Sequence, residues 1–293
     1  MLGSDTARGH LAMLAFSALV AGSFSLGSMA ANEIAPAALN GIRFCIAAAL
    51  LAVVAWRRGQ LSRAAAAAPW RYLLLGGLFG IYLVLMLEGL KTAPPVSTAA
   101  VFTLTPLMSG LFGWLLLRQL FSGRILTALA IGGAGALWVI FRADLSALLA
   151  FDVGRGETIY FVGCVAHAIY TPLVKRLNRG EPALVSALGT MIAGGVLVIV
   201  FGAADIAATA WLDLPAIVWI ALLYMSVAAT AATVVLIQYA SMRLPSSKVM
   251  AYTYLTPSWV ILWEIALRGA FPPIMTVAGI GLTLVALLLL LRD

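Results

Sequence analysis

The sequence predicts an all-α integral membrane protein of ten transmembrane helices, built as two inverted five-helix repeats. Three observations carry that reading. Hydrophobic residues make up 63% of the 293 and charged residues only 10%, with a mean hydropathy of +1.06. Soluble domains average about 45–50% apolar and about 25% charged, so the surplus here cannot be hidden in a core of this size. Apolar runs of about 20 residues, the length that crosses a bilayer, recur along the whole chain. Finally, Leu104-Thr105-Pro106 returns as Leu255-Thr256-Pro257, 151 residues on. Composition excludes a water-soluble enzyme, a disordered chain and a nucleic-acid binder. Strand-like alternation over ten-residue segments is absent, which excludes a β-barrel.

The spans are read at 10–31, 35–56, 70–91, 94–117, 123–141, 156–174, 182–202, 215–239, 247–267 and 272–291. Their connections are short and carry turn residues: Asn32, Pro69, Pro94-Pro95, Gly123, Gly180 with Pro182, Pro215, Pro245 and Pro272-Pro273. Arg8, an apolar run and Ser28-Met29-Ala30 imitate a cleaved signal peptide. The run to residue 31 is longer than a signal h-region and carries Ser17, Ser23 and Ser25, so it is read as the first helix.

The net charge of +7 reports orientation rather than a nucleic-acid partner. With the N-terminus inside, 13 of the 18 basic residues fall in inner pieces, including Arg57, Arg58, Arg63, Arg71, Lys175, Arg176 and Arg179. Lys91, Arg142, Arg155 and Arg268 fall outside, and Arg43 lies within span two. Short basic loops stay cytoplasmic, which predicts a multi-pass membrane protein with both termini in the cytoplasm.

The 151-residue offset also carries Pro94 onto Pro245. Arg118 and Phe121 match Arg268 and Phe271 at 150, and Gly133-x-Gly135 matches Gly279-x-Gly281 at 146. Four matches in order predict a duplicated five-helix unit, 1–150 and 151–293. Five is odd, so the copies are inverted in the membrane, an architecture of secondary transporters with substrate held between the halves.

Ten helices, Leu-Thr-Pro in helices four and nine, and Asn40-Gly41-Ile42-Arg43-Phe44 in helix two resemble the drug/metabolite transporter superfamily, EamA family. The resemblance covers essentially the whole chain. It implies this fold and a secondary transporter of small metabolites, similar to the family's bacterial amino-acid exporters. Many relatives carry Gly-Glu near the ends of helices four and nine; here those places read Arg118-Gln119 and Arg268-Gly269, and no role of that Glu is carried over.

Polar and aromatic side chains inside spans mark the pathway. They concentrate in helices 1, 3, 4, 6, 8 and 9, the same six that the resemblance implies, whereas helices 5 and 10 show almost none. The expected substrate-binding residues are Tyr82, His167, Tyr170, Tyr239, Tyr252 and Trp259, with Tyr254 a further part of the aromatic wall. Such a pocket suits an amphipathic solute with an apolar side chain and a small polar head. His167 and Tyr170, three apart, share a helix face, and His167 is read as a substrate contact, a proton carrier or a neutral core histidine. Pro106 and Pro257 each remove a backbone hydrogen bond mid-span and are the expected hinges, with Pro172 a further kink. Glu88 reaches the outer surface, Arg43 and Glu264 are paired as a structural bridge, and Gly76-x-x-x-Gly80 is a close-packing stripe.

Cys45 and Cys164 are read as packing residues, and no metal or cofactor is expected. No Walker A, H-E-x-x-H or G-x-S-x-G sequence occurs, so neither ATP hydrolysis nor a familiar hydrolase mechanism is expected. An ion channel lacks its filter here and an intramembrane enzyme its nucleophile–base pair. The expected function is export of aromatic or amphipathic amino acids by alternating access, as a monomer and a facilitator, since no carboxylate lies at mid-depth. Proton-coupled multidrug or other metabolite efflux is the alternative.

Overall fold

The computed structural model describes residues 2–61, 66–119, 123–141, 144–145, 153–269, 271 and 274–291. Arg63, Phe121, Arg142, Pro272, Pro273, Arg292 and Asp293 lie outside the described residues, as does the side chain of Thr276.

Among the described residues the chain forms ten helical rods and no strand. They are α1 (Leu2–Ala30), α2 (Pro36–Arg57), α3 (Trp70–Gly89), α4 (Pro95–Leu117), α5 (Gly123–Ile140), α6 (Arg155–Leu177), α7 (Ala183–Phe201), α8 (Ala216–Ser241), α9 (246–268) and α10 (Ile274–Leu291). Proline sets the starts. Pro36 and Pro95 occupy the first turn, and Pro182, Pro215 and Pro245 sit at the N-cap with extended ψ. A proline there loses no hydrogen bond and presets φ for the helix.

The first eight rods are long and apolar enough to span a bilayer, and α10 holds a shorter apolar stretch, Val277–Leu290. The ninth span is a broken rod: Ser246–Ala251, a 3-10 segment Tyr252–Leu255, then Thr256–Arg268. Its match α4 breaks at the same place, between Pro95–Phe102 and Thr105–Leu117. Each break precedes a proline, Pro106 or Pro257, whose nitrogen has no hydrogen to donate to the carbonyl four residues earlier and whose ring crowds that carbonyl. The correspondence reaches the ends: α4 stops at left-handed Arg118 (φ 54°) and α9 at left-handed Gly269 (φ 64°). A short helix, Ala203–Ala208, and a 3-10 turn, Trp211–Asp213, fill the α7–α8 connection.

The pairing of rods mirrors the two halves. Helix α3 packs on α6, and its counterpart α8 packs on α1; α4 packs on α6 as α9 packs on α1. Helices α2 with α7, and α5 with α10, pair with their own counterparts. The α5–α10 pair meets the rest through α4 and α9, so it stands at the periphery.

With lipid outside, apolar area alone does not drive helices together, and small residues allow close approach. A Cβ on Gly76 would lie 2.4 Å from the Gly194 nitrogen in α7. One on Gly135 in α5 would lie 2.6 Å from the Gly279 oxygen in α10, and one on Gly89 2.7 Å from the Gly156 oxygen in α6. The Gly76 stripe is therefore a backbone-to-backbone seam. Cys164 is buried in such packing, whereas Cys45 is exposed on α2.

Candidate functional site

Helices α3, α4 and α6 bring four nearly parallel rings together in the bundle. Tyr82 of α3 stacks on Phe102 of α4 (centroids 5.7 Å, 23°) and on His167 of α6 (4.2 Å, 19°). Three residues along α6, Tyr170 lies parallel to His167 at 5.8 Å and 9°. Phe79, one turn before Tyr82, edges His167 and Tyr170 at 5.9 and 5.3 Å. Tyr160 donates its hydroxyl to Tyr82 at 3.4 Å, and Phe24 of α1 closes over Tyr160 and Phe102. His167 sits 12 residues into α6, about 18 Å along the axis, which is mid-depth in a bilayer core of about 30 Å.

The polar atoms of this cluster are unequally served. Gln238 of α8 donates to the Tyr170 hydroxyl at 3.0 Å and to Thr190 of α7 at 3.3 Å. His167 is 1% exposed, and neither of its ring nitrogens has a hydrogen-bond partner. Leaving a buried polar group unpaired costs about 1–3 kcal/mol.

The other expected residues do not join the stack. Tyr239 lies at the Arg243 end of α8, with the Arg243 guanidinium 3.6 Å over its ring. Tyr252 faces His10 of α1 at 6.0 Å, and the Trp259 indole donates to Ser17 at 3.2 Å. Tyr254 is corrected outright. It packs with Ala128, Leu129, Leu287 and Leu290, inside a separate cluster made by α5, α9 and α10. Pro106 and Pro257 flank the contact between the two broken rods, where the Thr105 and Thr253 hydroxyls meet at 3.2 Å. Pro172 lies within unbroken α6.

The expected Arg43–Glu264 bridge does not form. Glu264 pairs with Arg268, one turn on in its own helix, at 3.6 Å. Arg43, 1% exposed, points into α8: Nε donates to the Thr230 hydroxyl, Nη2 to the Ala229 carbonyl at 3.3 Å, and Nη1 to Asn40 at 3.4 Å. The receiving segment, Val227–Ala232, is a π-helical turn, whose i→i+5 bonding departs from the regular ladder at the Ala229 carbonyl that Arg43 meets. Asn40 in turn donates to the Leu83 carbonyl at 3.2 Å, beside Tyr82. Glu88 pairs with Lys91 at 2.7 Å.

Polar and backbone contacts join the helices at both ends of this interior. At the end carrying the loop 178–182, Arg71 grips Glu181 at 2.7 Å and the Leu177 carbonyl at 2.7 Å. Burial raises the Glu181 carboxyl, but hydrogen bonds from Arg71 and the Arg179 backbone outweigh it and hold the group below the ordinary value of 4.5. Gln119 accepts from the Ser246 backbone at 3.1 Å, and an indentation of about 420 Å³ beside it is lined by Lys175, Arg243, Leu244 and Ser247. At the opposite end Ser97 donates to Glu157 at 2.8 Å, and Gly89 meets Gly156.

Sequence reasoning passed over Phe24, Phe79, Phe102 and Tyr160, because it searched the spans for polar aromatics at mid-depth. Among the described residues no group of three metal-ligating side chains occurs.

A family description, "EamA-like transporter family", matches residues 7–141 and again 154–292. A curated relative, "Uncharacterized transporter YyaM" of Bacillus subtilis (strain 168), is 25% identical over 224 residues, covering 74% of this chain and 72% of that protein. A solved crystal structure shares the fold with a TM-score of 0.73, at 20% identity over 98% of this chain and 96% of that one. The chain is thus a multi-pass membrane transporter and not an enzyme, and it belongs to the EamA-like transporter family.

Proposed function

We propose that the chain moves amphipathic amino acids, aromatic ones among them, out of the cytoplasm by alternating access between two inverted five-helix repeats. The observation that carries this is the His167 environment: a fully buried imidazole, both nitrogens unpaired, stacked between Tyr82 and Tyr170 at mid-depth. Rings of this kind take an apolar side chain, and the idle nitrogens take a small polar head.

Two further observations support the mechanism. The family description matches the two halves separately, and rods α4 and α9 break at equivalent prolines. Helix pairs that separate at Pro106 and Pro257 would open one end while the other stays latched. No carboxylate of the described residues lies beside His167, which favours a facilitator over a carboxylate-driven antiporter. The distribution of Lys and Arg supports an inner-membrane location with both termini cytoplasmic, and the closed interior needs no second copy.

The test is uptake of radiolabelled amino acids into proteoliposomes, with and without a pH gradient. Saturable uptake of phenylalanine or leucine that ignores the gradient, lost in His167→Ala and Tyr82→Ala, is expected. Flux of a hydrophobic cation with no amino-acid flux would replace this reading with drug efflux.

A further inference from the structure

Arg43 is a guanidinium buried within a membrane-spanning bundle, and among the described residues it has no counter-ion. Of its five N–H groups three are used, on Thr230, Asn40 and the Ala229 carbonyl, and two have no acceptor. Breaking or omitting one partner of a buried charge is strongly unfavourable, so an unpaired one is retained for a reason other than stability. Ionisable groups at such depth mark the paths of the solutes they attract.

The cation adjoins the ring stack. Asn40, which holds Arg43 from one turn away, is itself fastened to the carbonyl next to Tyr82. Phe44, the following residue, packs edge-on against Phe79 at 6.2 Å. Of the partners that Arg43 would release, the Ala229 carbonyl also accepts from Thr233 at 2.8 Å.

We infer that Arg43 is the anchor for the anionic head of the transported solute. The site then takes molecules that join a carboxylate to an apolar or aromatic side chain, and it rejects hydrophobic cations. The inference rests on the transport reading above and names the feature of the substrate that the ring stack does not. A planar guanidinium offers two parallel N–H groups that match the two oxygens of a carboxylate, a geometry lysine lacks. With the carboxylate on Arg43, the apolar side chain of the solute lies toward Phe79 and Tyr82, and the amino group of an amino acid meets a His167 ring nitrogen. A cation entering the same slot meets an uncompensated positive charge.

The experiment uses the purified full chain and four probes of equal ring size: L-phenylalanine, L-phenylalaninamide, 3-phenylpropionate and phenethylamine. Thermal-shift titration gives apparent affinities, and proteoliposome uptake gives flux. The wild type should bind phenylalanine and 3-phenylpropionate at least about tenfold more tightly than the amide or the amine, the ratio expected for one charge-assisted hydrogen-bond pair. Arg43→Gln should abolish that ratio, and Arg43→Lys should keep its sign at weaker affinity. Equal binding of acid and amide by the wild type overturns the inference, and this comparison needs no variant to fold. An acid preference that survives in Arg43→Gln also overturns it. Arg43-dependent binding of 3-phenylpropionate without flux of any amino acid would uphold the anchor and sink the amino-acid reading. Phenylalanine flux with a selectivity indifferent to Arg43 would sink the anchor alone.

Discussion

Adding a single methyl group at Gly76 tests the seam that holds α3, and with it Tyr82, in place. The new Cβ would sit 2.4 Å from the Gly194 nitrogen, 2.7 Å from the Thr190 oxygen and 2.8 Å from the Gly194 Cα. Ordinary contact begins at 3.4 Å, so α3 and α7 must part by about 1 Å. All three neighbours are backbone atoms, and no rotamer change relieves them. A gap of that size forfeits a quarter to a half of each dispersion contact along the seam. Overpacking costs about 1–3 kcal/mol, and this site belongs at the upper end because it cannot yield locally. Gly76→Ala should therefore destabilise by about 3 kcal/mol. Gly133→Ala, on α5 with nothing within 4 Å of the added carbon, should be neutral or stabilising by up to about 1 kcal/mol. Equilibrium unfolding of the detergent-purified protein in rising sodium dodecyl sulfate measures both. If the two variants unfold together with the wild type, the rigid-seam argument is wrong.

Further predictions follow from the latches and the interior. Glu181 has its carboxyl held down in the folded protein, so its contribution is present at neutral pH and lost as pH falls through that lowered value. Glu181→Gln should cost about 1–2 kcal/mol at pH 7, since Arg71 keeps the Ala67, Ala68 and Leu177 carbonyls, and thermal melts of variant and wild type should converge once the pH has fallen below the lowered Glu181 value. Cys164 is fully buried beside the stack, so N-ethylmaleimide should leave it unmodified in resting protein and label it faster during turnover; equal rates would argue against opening of this interior. Pro257→Ala restores a backbone donor at the α9 break and should lower the maximal uptake rate with KM little changed; a rate equal to wild type would remove Pro257 from the hinge.

Depth was legible in the sequence, and direction around each helix axis was not. Prolines 36, 95, 182, 215 and 245 announce where rods begin, and apolar length announces where they end. His167 and Tyr170 were found as a pair because three-residue spacing fixes a shared face whatever the helix packs on. Arg43 and Glu264 lie at similar depth, which suggested a bridge, but Arg43 faces the π turn of α8 while Glu264 turns along α9 to Arg268. Tyr254 was misplaced for the same reason: Tyr252, Thr253 and Tyr254 are consecutive and so point about 100° apart around α9, and their pattern carries no sign of which one meets α5 and α10. Phe79 and Phe102 looked like any lipid-facing phenylalanine until neighbouring helices supplied the rings they stack on. The Arg71–Glu181 latch joins positions 110 residues apart, beyond any local signal.

The π turn in α8 also has a genetic meaning. Six residues, Val227–Ala232, hold one more than a regular helix would place in the same rise. Deleting a single codon there would leave an ordinary helix with both halves still in phase, Tyr224 on α1 and Gln238 on Tyr170. Deleting one anywhere else in Ala216–Ser241 would turn the downstream half by about 100° and swing Gln238 away from its partners. Single-residue deletions in this helix are therefore expected to leave its two halves in register within 227–232, where they disturb only the Arg43 partners, and to be selected against on either side of it.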